Sequence, residues 1–498
     1  MKFENGVELI SMGNNIFCLN HSLRQQQIFG SEILSNAFNS IKESGSYSDN
    51  NIINEFKKSG FLIEDEKDPD YLFNLLKEYE DKNCDTNPSF NLLRILLTDI
   101  CNLNCDYCKV IKLIDAPQTK PTDRKRLEDA IKFFFENSEE NKPKIIHITG
   151  GEPTIFFDDI KNIIALKNKY ARKNENCWCV IGTNAVLIND EKAKFLADNN
   201  VKCIVSMDGK KEIHDLLRKT CDGKGSWDLV DRGIKLLKKY GCEFSISAVI
   251  GKHTINNPQD TIDFIIENYK PTGLGINFMK PPKPDQTDYK YLISPEDYAN
   301  KVYELHKNFR EQGIFFELIY RHLYPFVKRK FRFHDCGAAG SNNLNIDAKG
   351  NIGACKSFLL MNKLALDTLS VEEYKKTITS KWRKRSPIYY PCCKNCPAIG
   401  MCGNGCAYDA FTHEKDEMAI DSRSCGYIKI FFNLFLQDLL NFVKPEKVLD
   451  SWFYVVKQED RDKLLGNVKA IENSLSYSVG HQTDYYNKTL DEILQKLK

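Results

Sequence analysis

The sequence predicts an α/β protein: a partial (β/α)6 barrel, preceded by a small β-then-α module and followed by a cysteine-rich region organised by metal. Three observations point there. Between Phe90 and about Met279, short apolar runs alternate with helix-length segments, the pattern of repeated βα units and a parallel sheet. From Cys336 to Cys425 cysteines cluster where long periodic segments are lacking. The chain has 18 cysteines in 498 residues, more than packing requires. The remaining composition is ordinary for a globular chain, with 42% hydrophobic and 28% charged residues, which excludes disorder, collagen and coiled coil. Seventy Lys+Arg against 68 Asp+Glu give a net charge of +2, so no global field favours nucleic acid or anionic lipid, and neither partner is expected. Met1 to Ile10 carries Glu4 and Glu8 and lacks the apolar core of a signal peptide, and no run approaches the ~18 apolar residues of a membrane span. The chain is expected to be cytoplasmic, where clustered cysteines favour metal binding over a disulfide framework.

The elements follow in order. Val7 to Ile10 and Asn15 to Leu19 read as strands, Gln27 to Ile41 and Ser48 to Lys58 as helices, and Phe61 to Ile63 as a further strand, a pattern like a winged helix. With a helical connector from Asp70 to Lys82 this defines a first domain over residues 1–82. Six barrel strands are expected at Leu92–Thr98, Lys144–Thr149, Trp178–Thr183, Lys202–Met207, Glu243–Ile250 and Leu274–Met279. Helices are expected between them, at Leu127–Glu136, Asp159–Tyr170, Trp227–Tyr240 and Thr261–Asn268. The barrel occupies residues 90–285, and right-handed crossovers put its active site at the carboxyl ends of the strands. After Pro281, Pro282 and Pro284, a bridging helix at Pro295–Gln312 opens a region over 286–335. The cysteine-rich domain follows at 336–430, and a mostly helical tail at 431–498, with an apolar face through Ile430, Phe431, Leu434 and Leu439.

Chemistry concentrates at the predicted strand ends. Cys101, Cys105 and Cys108 form a C-x3-C-x2-C loop after the first strand; three thiolates on a [4Fe–4S] cluster leave one iron open to a substrate or cofactor. Gly150-Gly151-Glu152-Pro153 follows the second strand, where glycines admit close backbone approach and a carboxylate suits an amino acid headgroup. A third set comprises Cys336, Cys355, Cys393, Cys396, Cys402, Cys406 and Cys425, more thiols than the four of a zinc ribbon.

The first two motifs resemble those of the radical S-adenosylmethionine family, over Phe90 to about Met279. The resemblance implies that Cys101, Cys105 and Cys108 hold a [4Fe–4S] cluster whose open iron is chelated by S-adenosylmethionine. Reductive cleavage then yields methionine and a 5′-deoxyadenosyl radical that abstracts hydrogen from an unactivated C–H bond. It further implies that Gly150, Gly151, Glu152 and Pro153 hold the methionine amino group and that Tyr107 packs by the adenine. Thr183 and Asn184 end strand three, Ser206 and Asp208 are candidate contacts to ribose or carboxylate, and Gly251 meets the adenine edge. Arg218 is read as a partner of the methionine carboxylate or as a surface salt bridge.

The third set resembles the seven-cysteine signature of the SPASM extension. That resemblance assigns Cys393, Cys396, Cys402 and Cys425 to a distal cluster and Cys336, Cys355 and Cys406 to a proximal one, making three [4Fe–4S] clusters in all. The proximal cluster is then one ligand short, leaving an open iron suited to a substrate thiolate, or ligation by a noncysteine group or by Cys392. The other cysteines, including Cys177 and Cys179, read as small hydrophobes. His147 reads as a barrel-interior residue, with an acid–base role as the alternative, and no catalytic residue is assigned.

SPASM enzymes commonly modify ribosomal peptides, and the first domain resembles the precursor-recognition module of such maturases, its alternative being a stabilising cap. The expected activity is installation of a side-chain crosslink, thioether or carbon–carbon, in a precursor peptide bound through that module, with a flavodoxin- or ferredoxin-type reductant. The alternatives are formylglycine-generating oxidation of a protein Cys or Ser, as in anaerobic sulfatase maturation, and a noncatalytic electron carrier.

Overall fold

The computed structural model describes residues 1–140, 142–254, 256, 258–312, 314, 316–469 and 487–497. Six parallel strands, Leu92–Leu96, Lys144–Thr149, Cys177–Thr183, Lys202–Ser206, Phe244–Ile250 and Leu274–Phe278, pair consecutively, which is the half-barrel topology expected. Two further strands, Asn343–Ile346 and Ile352–Gly353, extend the sheet beyond its first strand: Asn343–Ile346 lies parallel to Leu92–Leu96, and Ile352–Gly353 turns back on it. The sheet therefore has eight strands and crosses the boundary drawn from the cysteines.

The two faces of this sheet differ. Outward side chains such as Ile95, Ile146, Ile181 and Ile246 are fully buried beneath the surrounding helices. Inside the curve, Leu92, Ile145 and Val180, with Trp178 and Ile204, close the bottom as a small apolar plug. Above the plug, Arg94, His147, Gly182, Ser206 and Ser247 are half-buried and Asn277 is exposed. Alternation along each strand thus builds a packed exterior and an open, polar chamber.

The N-terminal module has its own core, in which helices Glu32–Ser44 and Asn50–Lys58 pack Phe38, Ile41 and Phe56 against Leu19 and Ile28. Here one expectation is corrected. Residues Gln27–Gly30, assigned to the start of a helix, belong instead to a strand, Gln26–Gly30, antiparallel to Ile16–His21. Gln27 is buried but satisfied, donating to Asn20 Oδ1 at 2.7 Å, so a strand buried on both faces carries a polar sequence. The module is also not closed on itself: Phe453–Val455, from the tail, pairs antiparallel with Gln26–Gly30 as the fourth strand. Val7–Gly13 forms the opposite edge.

The bridging helices are Pro295–Phe309 and Glu317–Lys328. Against Pro295–Phe309 packs one continuous helix, Ser422–Val443, which carries Cys425. The boundary expected at 430/431 falls inside it, because Tyr427, Ile428, Phe431, Phe435 and Leu439 keep helical spacing straight through that point. The tail was expected to be mostly helical; it contains the strand just described, and its residues 470–486 lie outside those described. Among the described residues no helix is long and apolar enough to cross a membrane.

Candidate radical and cluster site

The cysteine loop and the Gly-Gly-Glu-Pro turn are strapped together. Gly151 N–H donates to Thr98 O at 2.7 Å and Glu152 N–H to Ile100 O at 2.8 Å. A Cβ on Gly151 would lie 2.1 Å from Ile100 O, and Gly150 adopts φ +138°, so both glycines are required by the approach of this turn to the entry of the cysteine loop. Glu152 does not point into open space. Its carboxylate accepts from Thr154 N (3.0 Å), Thr183 Oγ1 (2.7 Å) and Asn184 N (2.7 Å), tying the second strand end to the third. Burial raises its pKa against these bonds. Asn184 then reaches the cysteine loop, Nδ2 donating to Asn102 Oδ1 at 2.9 Å and lying 3.7 Å from Cys101 Sγ.

Tyr107, Asp208 and Arg218 form a second hub. Arg218 Nε donates to Asp208 Oδ2 at 2.7 Å and Nη2 to Oδ1 at 3.2 Å, while Tyr107 Oη donates to Oδ2 at 2.6 Å and Val249 N to Oδ1 at 2.9 Å. The pair is buried, so Arg218 is not a surface salt bridge, and both Asp208 oxygens are filled by protein donors. Burial alone would raise the Asp208 carboxyl, but Arg218, His214 and Tyr107 hold it below the usual range. The hub fastens the cysteine loop to strand ends four and five. Ser206 stands beside Ser247 in register, and Ser247 Oγ accepts from Asn277 Nδ2 at 2.9 Å, giving a polar row across the chamber wall. Gly251 N–H donates to Thr254 Oγ1, and a Cβ there would lie 2.7 Å from Tyr291 O.

The ten predicted cluster cysteines separate into three groups by mutual proximity. Burial pushes Cys101 up to about 12 and Cys105 up to about 11, with the nearby Cys108 thiol adding to both. Burial likewise raises Cys355 and pushes Cys406 up to about 12, with the Cys336 thiol near both. Cys393, Cys396, Cys402 and Cys425 line one cavity, also bordered by Lys429. Buried thiols that repel one another as thiolates call for a shared cation, and the donor sets fit iron–sulfur clusters. Among the described residues no three His, Cys, Asp or Glu side chains are close enough to hold a single metal ion. Cys392 is exposed and adjoins Cys393, so it belongs beside the distal group and drops out as a ligand of the proximal one.

Sequence reasoning missed the basic groups between the chamber and the proximal thiols. Lys109 lies 3.6 Å from Asp409 Oδ1 and 4.1 Å from the Tyr408 ring centroid, and Lys280 bonds Asp409 Oδ2. Burial, reinforced by neighbouring cations, lowers Lys109 to about 8, and Lys356 stands near both Lys109 and Lys280. Their signal lies in the sequence, since Lys109 follows Cys108 and Lys356 follows Cys355.

This combination of strand-end cysteine loop, strapped glycine turn and open half-barrel is that of a radical S-adenosylmethionine enzyme. Residues 95–265 match the family model described as the Radical SAM superfamily, and the chain is a radical S-adenosylmethionine enzyme with a SPASM extension. The cysteine-type anaerobic sulfatase-maturating enzyme of Clostridium perfringens is 26% identical to it over 378 residues, 71% of this chain and 98% of that protein. The radical SAM cyclopropyl synthase TigE of Paramaledivibacter caminithermalis is 25% identical over 432 residues, 82% of this chain and 87% of that protein. The solved structure of Streptococcus suis SuiB bound to precursor peptide SuiA covers 84% of this chain and 100% of that one, with a TM-score of 0.52 and 15% identity, a likeness of fold.

Proposed function

We propose that the protein is a peptide maturase that removes a hydrogen from a ribosomally made precursor peptide and joins two of its side chains, through a thioether or a carbon–carbon bond. In this reading Cys101, Cys105 and Cys108 hold the radical-generating cluster, and Gly150–Pro153, Thr183, Asn184 and Ser206 line the S-adenosylmethionine site. Cys336, Cys355 and Cys406 hold the proximal auxiliary cluster and Cys393, Cys396, Cys402 and Cys425 the distal one. When bound, these groups supply one-electron chemistry able to take a hydrogen atom from an unactivated carbon. The chain's own residues position: Glu152 and Asp208 lock the cysteine loop to strand ends two to five. The work is cytoplasmic, with a flavodoxin- or ferredoxin-type protein as reductant.

The observation that carries this reading is the N-terminal sheet. Val7–Gly13 is its edge strand, and the module packs against the distal cysteine loop, where a Cβ on Gly400 would lie 2.6 Å from Ser22 O. An extended leader peptide adding to that edge gains main-chain hydrogen bonds beside the catalytic domain. The precursor-bound fold of SuiB and the 82% span shared with the cyclopropyl synthase support it. Sulfatase-type oxidation is the second reading, favoured by the Clostridium perfringens relative, although that alignment leaves more than a quarter of this chain without a counterpart.

The test is anaerobic reconstitution, reduction with dithionite, and assay of 5′-deoxyadenosine with S-adenosylmethionine, followed by addition of short precursors encoded nearby. About twelve irons per chain, the sum of three four-iron clusters, with 5′-deoxyadenosine formation and a mass loss of two hydrogens in a precursor, is the expected result. Conversion of a sulfatase peptide to formylglycine, with no modified precursor, would establish the second reading instead.

A further inference from the structure

Polar and basic side chains gather on the chamber wall at the first two strands. Arg94 and His147 are register partners on adjacent strands, facing inward, with Asn345 beyond Arg94. Arg94 Nη1 donates to Asn345 Oδ1 at 3.3 Å, but Arg94 Nε and both His147 ring nitrogens are buried without a hydrogen-bond partner among the described residues. A Cβ on Gly182 would lie 3.1 Å from His147 Nε2, so this glycine leaves the space beside the imidazole open. Lys356, exposed, opens a helix that packs against the one begun by Lys109. Its charged neighbours are Arg94, Lys109, Lys280 and the Cys355 thiol, and among the described residues it forms no ion pair with a carboxylate.

The local charges do not balance without a further anion. Lys109, Lys280 and Arg423 face the two carboxylates of Asp409 and Asp421. Arg94 lies by Cys336 and Cys355. Three thiolates on a doubly cationic four-iron core would leave one net negative charge for it, and Lys356 still has no counter-ion. Charge neutralisation of a cluster also needs neither an orphaned imidazole nor the gap beside it.

We propose that Arg94, His147 and Lys356 form a carboxylate receptor that anchors the substrate peptide in the barrel by an acidic side chain or by its free C-terminus. This rests on the reading of the chamber as a peptide site. Charge-assisted bonds from a guanidinium and an ammonium to one carboxylate are the strong kind, and inside the barrel they fix which neighbouring residue faces the strand ends.

The experiment uses the reconstituted holoenzyme and three probes: N-acetylglutamate N-methylamide, N-acetylglycine, and N-acetylglutamine N-methylamide. Protection of Lys356 from mild acetylation is read by mass spectrometry, and affinity by saturation-transfer NMR. One carboxylate probe should protect Lys356 and the neutral amide should not, and the successful carboxylate identifies the source. Lys356→Gln and Gly182→Val should each weaken that probe by about tenfold or more, with iron content checked in both. Should Lys356→Gln lose iron, Gly182→Val decides, since it fills the space without changing charge. Equal protection by the amide, or affinity unchanged in Gly182→Val, overturns the receptor. S-adenosylmethionine cleavage measured on the same preparation tests the proposed function separately, so failure of one is not mistaken for failure of the other.

Discussion

Asp208 shows what a single side chain does here. It gathers an arginine, a phenol and a main-chain N–H from three segments, and Asp208→Asn leaves Arg218 buried without its counter-charge. Breaking a buried pair from one side costs about 3–5 kcal/mol, so a marked fall in the anaerobic melting temperature is expected. His306 offers a pH test. It is buried against Leu464 O, and burial lowers its pKa from 6.5 to about 4. A depressed pKa means that the unfolded chain binds the proton first, so stability is complete above pH 6.5 and is lost as pH falls toward 4. Denaturation midpoints of the wild type and His306→Gln, compared between pH 7 and 4, should show the wild type losing stability faster. Tyr107, Asp208 and Arg218 were each singled out in the sequence, as expected contacts of a cofactor. That they bond to one another was not legible, because about a hundred residues separate the first from the other two and no local pattern encodes that meeting.

Segments were legible where periodicity and function agree. All six barrel strands and the four expected helices stand where their apolar spacing put them, because each buries one face against a continuous sheet. Gln26–Gly30 was misread because its polar residues are satisfied by distant partners: Arg461 Nη2 donates to Gln25 O at 2.7 Å and also bonds Gln27 Oε1. The extra strands after Cys336 are too short, four residues and two, to show alternation. The strap between the glycine turn and the cysteine loop makes a segment-level prediction. Gly151→Ala drives a methyl into Ile100 O and should displace the loop, leaving about four irons fewer per chain by iron assay, the content of one cluster. Gly241→Ala has no atom within 4 Å of its Cβ and a φ of +73°, so it should cost about 1 kcal/mol of stability and no iron.

Across the chain, the expected division into five consecutive domains gives way to an interlaced molecule. The barrel sheet borrows strands from the cysteine domain, one helix joins that domain to the tail, and the tail supplies a strand to the first module. Ending the chain at Val443 would bare the Gln26–Gly30 edge and remove Arg461 from the buried glutamines. Such a protein should retain its iron but show rapid amide exchange at Gln26–Gly30 and a tendency to self-associate, measured by hydrogen exchange and sedimentation. The same strand sets a schedule during synthesis. Nascent chains fold from the N-terminus as they emerge, yet this first module stays one strand short until residues 453–455, more than four hundred residues later, leave the ribosome. A chain terminated before that segment keeps the first module at three strands, with Gln26–Gly30 as a bare edge, however well the rest of the module has folded.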